Sequence, residues 1–233
     1  MKEIVSIHQP NFLPWLGFFY KISRSTDFVI LDNVEFTKGS YINRNKIKSS
    51  HGDAQWLTIP VNVSKSIHQK INTVEVDLTQ KWKKNHQNTL KTCYSKAPFF
   101  HRHFDELVNL YETEAKLLMD FNVSLLKYAM RILNINCQLH FASDLIGDTD
   151  FKSNALLIQL CKIIGAKSYI AGGGSKKYMD DRLFADHDIK VNYINFQHPV
   201  YPQLYGDFIS HLSVIDLILN CGPDSIHYLH DSK

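Results

Sequence analysis

Ile4-Val-Ser-Ile-His-Gln-Pro-Asn-Phe-Leu-Pro-Trp-Leu-Gly-Phe-Phe-Tyr-Lys-Ile22 is the stretch that decides the fold. Its first residues are an apolar run ending at Ile7, which reads as a buried strand. His8-Gln9-Pro10-Asn11 follows as a polar turn, and Pro10 and Pro14 both oppose a helix running through them. Beyond Pro14, Leu16, Phe19, Tyr20 and Ile22 recur at helical spacing. A strand that stops at a polar turn before a helix is a standard ligand position in α/β proteins. The alternative is that His8 and Gln9 merely tie down a tight loop.

The pattern repeats outward. Asp27-Phe-Val-Ile-Leu31 is a second apolar strand, ending at Asp32 and Asn33. Gln138 to Ala142 and Ser168 to Ala171 read as further strands, the latter running into Gly172-Gly173-Gly174-Ser175. That turn permits close backbone approach to a ligand, but it is neither a Walker A nor a G-x-G-x-x-G motif. Ile189 to Phe196 is another strand, followed by Gln197-His198-Pro199-Val200-Tyr201-Pro202-Gln203. Helices are expected over Trp82–Tyr94, Phe104–Leu133, Asn154–Ile164, Tyr178–Phe184 and Ser210–Asn220, with Gly165 as a helix stop. Gln55–Val63 and Ile71–Asp77 alternate as strands, suggesting a small antiparallel or mixed extension of the sheet. Ile226–Lys233 reads as a frayed tail.

The expected fold is therefore α/β, a mostly parallel Rossmann-like sheet in one domain over 1–233, with a helical insert at about 80–135. Parallel strands would open His8, Gln9, Asn11, Asp32, Asn33, Gly172 to Gly174, His198, Tyr201 and Gln203 on one face. Val34 to Ile47, rich in Lys, Asn, Arg, Ser and Tyr, reads equally as a binding segment or a solvated loop. Asp216, inside an apolar helix, calls for a partner at the sheet edge; the alternative is a local cap or a helix-surface position.

A net charge of +3 with neutral His argues against nucleic acid as partner, and the nearest basic cluster, Lys38, Arg44, Lys46 and Lys48, suits one phosphorylated ligand better. The four cysteines form no C-x-x-C pair, and His86, His101 and His103 lack ligand spacing, so no metal is expected. No signal-peptide core and no run near the ~18 apolar residues of a membrane span is legible, which leads to the expectation of a cytoplasmic protein with no transmembrane segment.

Ile7–Phe18, Leu31–Asn45, Tyr169–Gly174, Phe196–Gln203 and Leu212–Leu217 together closely resemble the WbqC-like family of bacteria. That resemblance implies a place among the proteins of O-antigen and other surface-polysaccharide clusters, and transfer of a glycyl or related acyl group to an amino sugar. A weaker likeness is to the nucleotidylyl-transferase superfamily, whose H-x-G-H motif sits at this helix start. Here Trp15 and Phe18 occupy the imidazole positions, and neither can stabilise a phosphate-centred transition state as imidazole does.

The expectation is thus a tailoring enzyme acting on a nucleotide-linked or lipid-linked amino sugar. Its acyl or aminoacyl donor is open among acyl-CoA, a carrier-protein thioester and an aminoacyl adenylate, and no cofactor is tightly bound. His8 or His198 would deprotonate the amine, Asp32 orient it, and Asn11, Asn33 and Gln203 bind sugar hydroxyls. Lys38, Arg44 and Lys46 would hold phosphate, and Gln9, Trp15, Asn43, Gly172, Gly173, Gly174 and Tyr201 complete the substrate-binding set. The alternatives are a non-catalytic sugar- or nucleotide-binding subunit and a nucleotidyl- or adenylate-transferase with an altered motif.

Overall fold

The computed structural model describes residues 3–63 and 68–230. Its centre is a parallel sheet of five strands: β1 (Ile4–His8), β2 (Asp27–Ile30), β7 (Gln138–Phe141), β8 (Ser168–Gly172) and β9 (Lys190–Ile194). Their spatial order is β7-β2-β1-β8-β9, so β1 lies in the middle and the chain reverses its direction of travel between β1 and β8. This is the mostly parallel, Rossmann-like sheet the apolar runs predict.

Strand pleating sorts the core into two layers. Val5, Ile7 and Val29 pack with Leu156, Leu160 and Cys161 of α6 (Ser153–Ile164) and with Phe184 of α7 (Asp181–Ala185). Phe28 and Ile30 face the other way, onto Leu16, Phe19 and Ile22 of α1 (Leu16–Ser23) and the larger helical layer. That layer comprises α2 (Trp82–Tyr94), α3 (Phe100–Tyr111), α4 (Leu118–Ile132), α8 (Val214–Cys221) and α9 (Ser225–His230), with the short α5 (Ala142–Ile146) lying beside α6. α9 occupies part of the stretch read as a frayed tail, whose residues 231–233 lie outside the described residues.

Two expectations are corrected. The alternating segments do not extend the main sheet. They form separate two-stranded antiparallel ribbons, β3 (Arg44–Lys48) with β4 (Ala54–Thr58) and β5 (Val61–Asn62) with β6 (Glu75–Val76). The single helix expected over 104–133 is broken between α3 and α4, where residues 112–117 leave helical conformation and Leu117 bridges Glu75. A continuous apolar stripe cannot report that break, because both helices present their apolar faces to the same core.

The ribbon β3–β4 holds the turn after β1. Asn45 donates from Nδ2 to the carbonyls of Phe12 and Leu13, at 3.2 and 2.6 Å. Asn122 of α4 donates to those of Pro10 and Ile42, at 2.8 and 2.7 Å. A Phe12 N–H to Tyr41 carbonyl bond of 2.9 Å completes the clamp. These side chains satisfy backbone groups in a Pro-interrupted loop that no helix or ladder can satisfy.

Candidate functional site at the reversal of strand order

Ligands of open α/β sheets sit beyond the carboxyl ends of the strands where strand order reverses. Here that place lies between β1 and β8, and a cavity of about 310 Å³ occupies it. His8, Trp15, Gly17, Phe18 and Lys21 line it from β1 and α1, Gly172 to Gly174 from the end of β8, and Ile194, Asn195 and Phe196 from the end of β9.

Each side chain arrives there for a local reason. Val5 and Ile7 point to the α6 layer, so alternation turns Ser6 and His8 toward α1. The His8 ring meets Phe18 edge to face, with centroids 4.9 Å apart. Gly17, Phe18 and Lys21 share one face of α1 by helical spacing. At Gly17 an added Cβ would lie 2.2 Å from the Trp15 ring, so only glycine lets the indole lie across the first turn. Phe196 packs edge-on against that indole at 5.3 Å, forming an aromatic wall.

The electrostatics are unusual for so small a space. A carbonyl can only accept, so Nδ1 of His8 donates to the Gln9 carbonyl at 3.0 Å, which leaves the Nε2 lone pair without a partner among the described residues. Burial, and then the neighbouring Lys21 charge, hold the His8 pKa down at about 3. Lys21 is 4% exposed, donates to the Ile7 carbonyl at 3.0 Å, and burial lowers its pKa to about 7. The cavity thus presents a neutral imidazole acceptor and an amine balanced between its charged and neutral forms.

The chain matches the WbqC-like protein family over residues 9–228, which is nearly its whole length. It belongs to that family. It is 35% identical to an uncharacterized protein of Mycobacterium tuberculosis, with 98% of each chain covered. No solved structure matches it.

Within this WbqC-like chain, the expected site residues do not all gather at the crevice. His8, Trp15 and the glycines 172 to 174 line it; His198 does not, although its ring stacks on Trp15 with centroids 6.4 Å apart. The His198 Nδ1 donates to the Pro199 carbonyl at 2.9 Å, and burial lowers its pKa. Asp32 is fully buried and receives the Ser143 N–H at 2.9 Å and the Ser143 hydroxyl at 2.5 Å, so both oxygens are spent on the start of α5. Asn33 donates to the Gly147 carbonyl at 3.0 Å. Asn11 is partly buried in the clamped turn, and Gln9 lines a second cavity of about 300 Å³, beside Tyr169 and Tyr178, that shares His8 with the crevice.

The proposed phosphate cations are dispersed as well. The Arg44 guanidinium and Lys46 ammonium lie over the Trp56 ring, at 4.2 and 4.9 Å from its centroid. Asn43 braces the loop, accepting from the Gly39 N–H and donating to the Ile59 carbonyl, each at 3.0 Å. Lys38 is exposed on a broader hollow of about 960 Å³ shared with Asn62, Lys70 and Asp148, where Lys70 already pairs with Asp148. Tyr201 and Gln203 both donate to Asp216, at 2.9 and 2.8 Å. Among the described residues no group of His, Cys, Asp or Glu converges to hold a metal, and no helix is long and apolar enough to cross a membrane.

Sequence reasoning missed Lys21. A lysine in a helix reads as a solvated residue, and this one sits in a helix buried on every side from Leu16 to Ile22. The available signal was its position four residues after Gly17 and three after Phe18, on the face that meets the carboxyl end of β1.

Proposed function

We propose that this WbqC-like protein is a tailoring transferase of bacterial surface-polysaccharide synthesis, moving an acyl or aminoacyl group onto the amine of an amino sugar held in the crevice. The observation that carries this reading is His8 at the strand-order reversal, neutral at working pH and with no partner for its Nε2 among the described residues. The aromatic wall of Trp15 and Phe196 supplies the apolar face that sugar rings and bases stack upon.

The chemistry needs little more. The sugar amine attacks the donor carbonyl, a C–N bond forms, and the bond to the thiol or adenylate leaving group breaks. A nitrogen that has just formed that bond is strongly acidic. An imidazole of low basicity can therefore accept its proton, provided the acceptor is already aimed. Ordered earlier, the same Nε2 accepts a hydrogen bond from the amine and orients its lone pair.

The direct test incubates the protein with nucleotide-linked amino sugars and candidate donors and reads product mass. His8→Gln should lower turnover by roughly 10²–10⁴ with little change in ligand affinity, because the amide keeps size and hydrogen bonding but loses the proton acceptor. Unchanged turnover in that variant removes His8 from the reaction. The second reading is a non-catalytic sugar-binding subunit, favoured by the engagement of Asp32 and His198 away from the crevice. Binding without a mass change for any donor supports that alternative.

A further inference from the structure

Lys21 is a buried amine to which no described residue offers a counter-charge. An ammonium carries three N–H donors, and the Ile7 carbonyl uses one. No Asp or Glu among the described residues pairs with it, and none lines its cavity. A buried lysine with no counter-charge is costly to keep. Met would fill the same apolar space in α1 without that cost. The cavity that Lys21 faces is also the one framed by Gly172 to Gly174, whose lack of side chains lets a bulky charged group approach the backbone. At about 310 Å³ it has room for a compact polar ligand, and its walls carry one sign of charge. By contrast, Arg44 and Lys46 are engaged over Trp56, and Lys70 beside Lys38 is neutralised by Asp148.

We propose that Lys21 holds a phosphate of the ligand, so that the substrate of the crevice is a sugar carried on a diphosphate. This rests on the crevice being the substrate site, as in the preceding reading, but not on acyl transfer. It moves the phosphate contact from the basic segment after β2 to the helix after β1. An anion supplies the counter-charge that the protein withholds, and the charge-assisted bond forms only with ligand present. The diphosphate could come from a nucleotide or from a polyisoprenoid lipid, and the two sources differ in what lies beyond the phosphates.

The test titrates inorganic pyrophosphate, UDP and geranyl diphosphate into the protein by calorimetry. Wild-type protein should bind pyrophosphate and at least one of the two esters. UDP alone identifies a nucleotide carrier and geranyl diphosphate alone a lipid carrier. Lys21→Met should weaken binding by about 10- to 100-fold, the range for a lost hydrogen bond to a charged group. Lys70→Ala, in the other hollow, should leave it unchanged. Equal affinity in Lys21→Met, or no binding of any of the three by wild type, overturns the proposal.

A measurement on wild-type protein guards against a variant that does not fold. Crystals of the wild-type protein soaked in pyrophosphate should show the anion within hydrogen-bond distance of Lys21 Nζ and none beside Lys38 or Lys70. Pyrophosphate beside Lys38 or Lys70 in place of Lys21 contradicts the proposal. Diphosphate binding through Lys21 without any transfer product keeps this inference and removes the transferase reading. Transfer that proceeds with unchanged KM in Lys21→Met does the reverse.

Discussion

Asp216 shows how a carboxylate inside an apolar helix finds its partners. It is fully buried, yet it accepts hydrogen bonds from Tyr94 at 2.7 Å, Tyr201 at 2.9 Å and Gln203 at 2.8 Å. Lys48, also buried, donates to Gln203 Oε1 at 3.3 Å and to the Asp207 carbonyl. The knot ties α2, β3, α8 and the loop after β9 together. Desolvation raises the Asp216 pKa, and its hydrogen bonds with Tyr94, Tyr201 and Gln203 oppose that rise. Asp216→Ala leaves Tyr94, Tyr201 and Gln203 without their acceptor and removes the carboxylate charge that interacts with the buried Lys48, so stability should fall by about 3–5 kcal/mol, readable as the midpoint of urea unfolding. A loss below 1 kcal/mol shows that the knot contributes little. The sequence announced Asp216 as a residue needing a partner, but it could not say that Tyr201 and Gln203 were that partner. Those two look like ligand binders because the residue types that recognise hydroxyls also satisfy buried carboxylates. The position of His8 was legible for a firmer reason: a strand end before a Pro-bracketed turn constrains where its side chain can go.

At the scale of elements, the ribbon β3–β4 explains why the segment after β2 resists a purely local reading. Its Asn and Lys side chains suggest a ligand loop, whereas Asn45 reaches back across the fold to hold the carbonyls of Phe12 and Leu13. Periodicity reports which faces are apolar and is silent on which backbone carbonyls a distant amide will reach. Asn45→Ala should cost about 1–3 kcal/mol and speed amide hydrogen exchange between Phe12 and Trp15, since it strips both carbonyls of their donor. Unaltered exchange there means the turn keeps its shape without the ribbon. The first turn of α1 offers a second check. Gly17→Ala forces the Trp15 indole off the helix, and ligand binding in the crevice should weaken while α1 stays helical by circular dichroism. Unchanged binding shows that the position of Trp15 is immaterial to the crevice.

Over the whole molecule, the parallel sheet was legible because its strands are apolar runs, the mark of strands covered on both faces. Their order was not, since hydrogen-bond partners in a parallel sheet are set by crossovers that no local pattern encodes. The buried titratable groups give the molecule a pH signature. Burial lowers the pKa of His8 to about 3 and of His86 to about 4, so below pH ~6.5 the unfolded chain binds more protons than the folded one. Stability should therefore fall as pH drops from about 6.5 toward 4, and the melting temperature of His8→Gln should fall less steeply than that of wild type. Asp216, with its raised pKa, opposes this trend at the acid end. Lys21, lowered to about 7, extends it upward, adding stability as pH rises from about 7 toward its ordinary range. Parallel acid limbs in wild type and His8→Gln would show that His8 is not held neutral by the fold. Whether the β1–β8 crevice is the substrate site is decided by a crystal structure with a nucleotide-linked amino sugar. Ligand density should lie between His8 and Gly172–Gly174, with the sugar amine in hydrogen-bond reach of His8 Nε2 and a phosphate on Lys21. Ligand lodged instead in the hollow beside Lys38, Lys70 and Asp148, with the crevice unchanged, contradicts it.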